Sequence, residues 1–298
     1  MKKTLLVLAL ALIGVSACPY QAYAKDKEEG AKKELGITFE VGADVVSSYL
    51  WRGYNLGGIS IQPSATFGWK GLYVCGWANI GADNWTFEDL NPELDITIGY
   101  DNFGVQVDLT HLHYFNNEAY FPKGGFKVIP DDTTSTSTME LHAGFHLGDI
   151  IEKVPLSIDW YTTIFGNDYF INDKGEAQRA WSTYIELGYQ FKLPLGIILD
   201  TRVGITPWRG MYSNYEEVWR NAKTVAINNI NLRLQRDFEL KHVFLGVWGE
   251  CMLNCYGIDK TNVKTELSSV VNEFEQGNNN YQRLNWRIGA SLYFGNEW

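Results

Sequence analysis

The sequence predicts an all-β fold, a closed antiparallel transmembrane β-barrel of about twelve strands with short helices in its extracellular loops. Three observations carry that expectation. Apolar and polar residues alternate over ten or more positions in segment after segment, short connections alternate with long ones, and aromatic residues gather near the segment ends. Period-two alternation of this length marks β-strands. A tilted strand needs about 9–11 residues to cross a bilayer, against about 5–6 in the commonest soluble strand. Lipid supplies no hydrogen-bond partners, so such a sheet must close on itself.

The chain opens with "MKKTLLVLALALIGVSACPYQAYA", a basic start at Lys2 and Lys3 and an apolar run too short to span a bilayer. Pro19 and the small-x-small "AYA" ending at Ala24 mark residues 1–24 as a signal peptide. A second reading takes "VSAC" as a lipoprotein box, with Cys18 acylated as the new first residue. Residues 25–36 read as a polar periplasmic linker and 37–298 as the barrel.

Within the barrel region the alternation is regular. Ile37, Phe39, Val41, Ala43, Val45, Tyr49 and Trp51 share one parity, and Thr38, Glu40, Asp44, Ser48 and Arg52 the other, which predicts a first strand over 37–52. Eleven more strands are expected at 59–70, 71–81, 93–101, 104–115, 138–147, 156–165, 180–191, 197–206, 224–234, 242–252 and 281–294. The third is apolar on both faces, and Asn228 interrupts the tenth. Short turns fall at 70–71, 101–104, 147–155, 192–196 and 235–242, and the longer connections include 116–137, 166–179, 207–223 and 253–280. An even strand count puts both barrel ends on the short-turn, periplasmic side. Trp51, Trp69, Tyr100, Phe115, Phe191, Trp208 and Phe294 are the expected interfacial aromatics.

The charge balance excludes one class of partner. The sequence holds 25 Lys plus Arg against 35 Asp plus Glu, and losing the leader takes two lysines and no acid, so the remainder stands at −12. Nucleic-acid binding needs a basic face, which this chain lacks. Cys251 and Cys255 have zinc-like spacing without a second Cys or His pair nearby, and read as a small strand residue and a loop thiol. His111 and His113 share the lipid-side parity, His142 and His146 the inner one, so the four do not converge on a metal. No Gly-x-Ser-x-Gly occurs, and no cofactor motif is visible; an outer-membrane enzyme is a minor alternative.

"SSYLWRGYNLGG" (47–58), "IQPSATFGWKGLYVCGWANIG" (61–81) and "PELDITIGYDNFG" (92–104), with "STYIELGYQFKLPLGIILDTRVGI" further on, resemble the TorF-type porin family of Gram-negative outer-membrane barrels. The resemblance spans most of the mature chain and is densest in its first quarter. The aromatic-ended "NWRIGASLYFGNEW" is similar to the last strand that outer-membrane insertion machinery recognises. The resemblance implies an outer-membrane barrel with a lipid-facing exterior; the expectation of a small polar solute rests on the inner face.

By parity the inner face should carry Glu40, Asp44, Asp95, Asp108, Glu140, Asp159, Glu186, Asp200 and Glu250, opposed by Arg52, Arg202, Arg233, Arg283 and Arg287. Nine acids against five arginines imply a pore that favours cations or neutral polar solutes. The alternatives are a lumen filled by paired charges, which conducts nothing, and a barrel that displays its loops to a partner. Closure of the first strand on the last should set Arg287, and Arg283 beside it, against Glu40 or Asp44. Segments 213–223 and 264–277 read as amphipathic loop helices at the outer mouth.

Overall fold

A computed structural model describes residues 36–81, 92–114, 137–166, 168–171, 177–208, 210, 212, 225–255 and 283–297. The segments 213–223 and 264–277, the leader and Phe115 lie outside the described residues.

The alternating segments form strands β1 (Ile37–Val46), β4 (Ser60–Trp69), β5 (Leu72–Gly81), β6 (Glu93–Asn102), β7 (Val105–Tyr114) and β8 (Ser137–His146). They continue as β9 (Leu156–Gly166), β12 (Thr183–Leu193), β13 (Ile197–Thr206), β14 (Ala226–Leu240), β15 (Val243–Asn254) and β16 (Leu284–Glu297). Two minor hairpins pair β2 (Tyr49–Trp51) with β3 (Tyr54–Gly57) and β10 (Tyr169–Ile171) with β11 (Ala177–Arg179). The twelve long strands close into one antiparallel barrel in the order β1-β16-β15-β14-β13-β12-β9-β8-β7-β6-β5-β4, as the sequence predicts.

The turn end is built on left-handed backbone, with a glycine at the second position of three of its turns. Lys70–Gly71 (φ 51° and 89°) and Phe103–Gly104 (φ 54° and 71°) reverse the chain in two residues, with the consecutive positive φ values of hairpin turns. Leu195 and Gly196 (φ 65° and 69°) do so between β12 and β13. The strands β14 and β15 are joined through Lys241 (φ 61°) and His242 alone. This corrects the expected 235–242 turn: β14 runs fifteen residues, six beyond the sequence estimate. The start of β1 and the end of β16 meet at this same end, where Thr38 lies opposite Glu297. There the exposed Lys192 ammonium donates to Glu152 at 2.9 Å and holds that carboxyl below its usual range. Such an exposed pair contributes little to stability.

Outward positions are apolar and bare. Val45, Phe67, Val74, Ile98, Val107, Leu141, Ile158, Leu187, Leu232, Val247 and Ile288 are all exposed along their strands. Trp69, Tyr100 and Phe191 toward the turn end and Trp181, Trp208 and Trp286 toward the loop end are exposed aromatics, the distribution of interfacial girdles. In water so continuous an apolar belt would aggregate; a bilayer covers it. Inward positions are polar and mostly buried, among them Gln62, Asp44, Thr97, Asn229 and Ser291.

Candidate functional site

The lumen is the candidate site, and its central feature is the stretch just after β1. That strand stops at Val46, so the expected 37–52 strand is two elements. Ser47 N donates to Ile288 O at 3.0 Å, and beyond it the chain leaves the barrel wall. β2 and β3 then form a hairpin whose two-residue turn is Arg52–Gly53, with φ 45° and 96°. A long side chain at positive φ is strained, so Arg52 holds its place through contacts made elsewhere.

Those contacts lie inside the barrel. Asn254 Nδ2 of β15 donates to Gly53 O at 2.9 Å, and Arg287 of β16 to Leu50 O at 3.3 Å. Tyr49 packs on Trp77 of β5 with ring centroids 5.8 Å apart. At the tip, the Arg52 guanidinium pairs through both terminal nitrogens with Glu140 of β8, one contact being 2.7 Å. It lies 4.0 Å from the Tyr161 ring centroid, 5.0 Å from Tyr184, 5.1 Å from Tyr212 and 4.8 Å from Trp51. Tyr212 donates its hydroxyl to Glu140 Oε2 at 2.7 Å. Trp51 therefore belongs to the lumen and not to the interfacial girdle, which corrects the sequence assignment.

Three further charge groups line the wall. His142 stands between Asp108 (Nδ1 to Oδ2, 2.7 Å) and Asp159 (Nε2 to Oδ1, 3.1 Å), and His146 Nε2 reaches the same Asp159 oxygen at 2.9 Å. Both ring nitrogens of His142 thus lie within hydrogen-bond distance of a carboxylate oxygen. Tyr73 and Gln106 each donate to Asp108 Oδ2 at 2.8 Å. On the adjoining strands β12 and β13 Arg202 joins Glu186 (2.6 Å), the cross-strand neighbour of Asp159, and Asp200 (3.0 Å). The third group is Glu250 with Arg287 (2.7 Å), flanked by Trp248, whose ring lies 4.0 Å from Arg233 and 4.9 Å from Arg287.

The predicted lining residues sort accordingly. Glu40, Asp44, Asp95, Asp108, Glu140, Asp159, Glu186, Asp200, Arg202, Arg233, Glu250 and Arg287 occupy inward register positions of the barrel strands. Arg283 stands ahead of β16 at the loop end and is exposed. The expected Arg287–Glu40 contact is overturned: Glu40 faces Gly295, and Asp44 faces Ser291. Arg287 stands opposite Glu250 of β15 instead. Parity places residues on a face, but the offset between β1 and β16 sets their height, and no short turn joins that pair.

Sequence reasoning missed Glu93, Asp101 and Asp237, which also face inward; the first two share the parity of Asp95 and were open to the same argument. It also missed the inward aromatics Tyr73, Trp77, Tyr161 and Trp248, because an aromatic on the polar face reads as noise. His111 and His113 stack 6.1 Å apart on β7, and His113 Nδ1 lies 2.6 Å from Ser137 Oγ. Among the described residues no group of three or more His, Cys, Asp or Glu has a metal-holding arrangement, and Cys251 and Cys255 are free thiols.

Accessibility divides the lumen. Toward the loop end, around the hairpin, Thr206, Asn229, Met252, Asn254 and Asn285 are buried. Toward the turn end of β12–β16, Gln190, Asp200, Arg202, Arg233, Gln235 and Tyr293 are partly accessible, Arg202 by 31 %. The lumen is thus partly accessible along β12–β16 at the turn end, closed along β4–β8, where Thr66, Tyr73, Asp101, Gln106 and Asp108 are buried, and filled by the β2–β3 hairpin at the loop end.

Fold and site together define a transmembrane β-barrel with a charged lumen and an internal hairpin. No protein-family model matches the chain, and no curated protein matches it. Among solved structures it is similar to an outer-membrane channel of Pseudomonas putida F1, with TM-score 0.41, 12% identity, 91% of this chain and 99% of that one covered. The NanC porin gives TM-score 0.42 at 9% identity over 86% and 98% of the two chains. The toluene transporter TodX of Pseudomonas putida gives 0.35 at 11% over 88% and 90%. These likenesses are too distant to carry function.

Proposed function

We propose that the protein is a porin-like outer-membrane barrel of the TorF type, a passive channel for small hydrophilic solutes with a preference for cations or neutral molecules. The observation that supports it most is the lining itself. A twelve-strand circumference exceeds the eight at which side chains alone fill a barrel. Three of its arginines are paired, Arg52 with Glu140, Arg202 with Glu186 and Asp200, Arg287 with Glu250, while Arg233 stacks on Trp248 without an ion pair among the described residues. Glu40 and Asp44 of β1 have no salt-bridge partner among the described residues, so acids outnumber ion-paired arginines along the lining. No energy-coupling chemistry enters this reading, and transport runs down the solute's own gradient.

The filled loop-end lumen favours one rival, a barrel that conducts nothing and presents its loops to a partner. Purified protein in a planar bilayer under a salt gradient separates them. The channel reading expects small stepwise conductance with a reversal potential of cationic sign, weakening as salt screens the lining. An anionic reversal potential would refute the charge argument. The leader at 1–24, the linker at 25–36, contact with outer-membrane lipid and recognition of the last strand by insertion machinery belong to the same proposal.

A further inference from the structure

The surroundings of Arg52 are a finished cation site, and most of it is fixed to the barrel wall. Glu140, Tyr161 and Tyr184 project from the neighbouring strands β8, β9 and β12, and Tyr161 and Tyr184 are paired residues across β9 and β12. Tyr212 adds a third ring, 5.6 Å from that of Tyr184, and fixes Glu140 through its hydroxyl. Rings around a carboxylate attract a cation through both the ring quadrupole and the charge. The hairpin brings the occupant, Trp51 beside it, and Tyr54 and Leu56, which pack on the rings.

We propose that Glu140, Tyr161, Tyr184 and Tyr212 form a binding site on the solute path for small guanidinium-bearing molecules, which Arg52 occupies as a tethered stand-in. This rests on the channel reading and names a solute class for it. The pose of Arg52 gives the selectivity. Its two terminal nitrogens engage the two oxygens of Glu140, a planar fork that an ammonium cannot reproduce. Its face lies over Tyr161 at 4.0 Å, a stacking suited to a flat cation. Side-chain exposures of 7% and 9% for Arg52 and Glu140 show that the fork is shielded from water, where such pairing is strongest.

The tether also explains why the site is closed at rest. A short connection presents its group at a millimolar or higher effective concentration, so a free solute must exceed that to compete. Removing the occupant should uncover the site. The variant Arg52→Ala, purified in detergent, should unfold at a lower temperature than the parent. Methylguanidinium at low millimolar concentration should raise that midpoint by a few degrees, while methylammonium raises it much less. The parent and the double variant R52A/E140Q should not respond. In a planar bilayer the same probe should block R52A current at concentrations that leave the parent unaffected.

The arms separate the two readings. Stabilisation by methylguanidinium without any current would uphold the site and remove the channel. Current without stabilisation or block would uphold the channel and overturn the site, as would an equal response from R52A/E140Q. Arg52→Gln, which keeps a hydrogen-bond donor at the tip, is the second variant should R52A fail to fold.

Discussion

Replacing residues 48–58 by a two-residue turn should raise single-channel conductance several-fold. The substitution is geometrically mild: continuing the Ile37↔Trp69 register along β1 and β4 sets Val46 opposite Ser60, so the two strands can be joined directly. The excised hairpin carries Arg52, Trp51 and Tyr54, which with Tyr184 and Tyr212 occupy the loop-end lumen. Its loss removes a plug and leaves Glu140 without its arginine, so the cationic bias should increase with the current. Unchanged conductance in a correctly folded variant would mean that the hairpin does not occlude the path.

The second large effect is on stability. Arg287 and Glu250 are 7% and 4% exposed and directly opposed across β15 and β16. Truncating either leaves a buried, uncompensated charge, so Arg287→Ala or Glu250→Ala should cost about 3–5 kcal/mol in urea titrations of the refolded barrel. The double variant should cost clearly less than the two losses added, because neither charge is then stranded. Arg233, stacked on Trp248 beside them, tempers the gain for the double variant, since it loses a nearby carboxylate. Strictly additive losses would show that the pair is not coupled.

The barrel was legible because lipid on one side and charge on the other impose strict parity, and parity survives in a single sequence. Where it failed, a physical cause can be named. The alternation from Ile37 lapses at Val46, Ser47 and Leu50, where the chain leaves the wall, yet enough of it persists to read as one strand, since a hairpin in the lumen is itself a pair of strands. The Arg-Gly pair between Trp51 and Tyr54 was the available sign of a reversal. β14 was cut short because Arg236 falls on its outward face; near the turn end its guanidinium sits 5.0 Å from the Phe238 ring and reaches the polar boundary. Asn228, which breaks the pattern, is the extra residue of a β-bulge: Gly204 pairs with Asn229 and Ile205 with Ile227. Its side chain donates to Tyr212 O at 2.8 Å, so the irregularity positions one wall of the Arg52 site. Which acid meets which arginine depends on register between strands joined by long connections, and no local pattern encodes that.

The central claim is that the β2–β3 hairpin, residues 49–57, resides inside the barrel with its tip against β14. A Cβ at Gly53 would lie 3.5 Å from the Cβ of Asn229, within disulfide range. The variant G53C/N229C, in a chain whose native cysteines are replaced by serine, should therefore form a cross-link under mild oxidation in membranes, despite the strain of a side chain at Gly53's positive φ. Its conductance, measured before and after reduction, is the most direct test. The account predicts a barrel that cross-links readily and carries the same low, steady current before and after the disulfide is reduced. A pair that stays reduced under conditions that oxidise exposed thiols, in a barrel conducting like its parent, would contradict it.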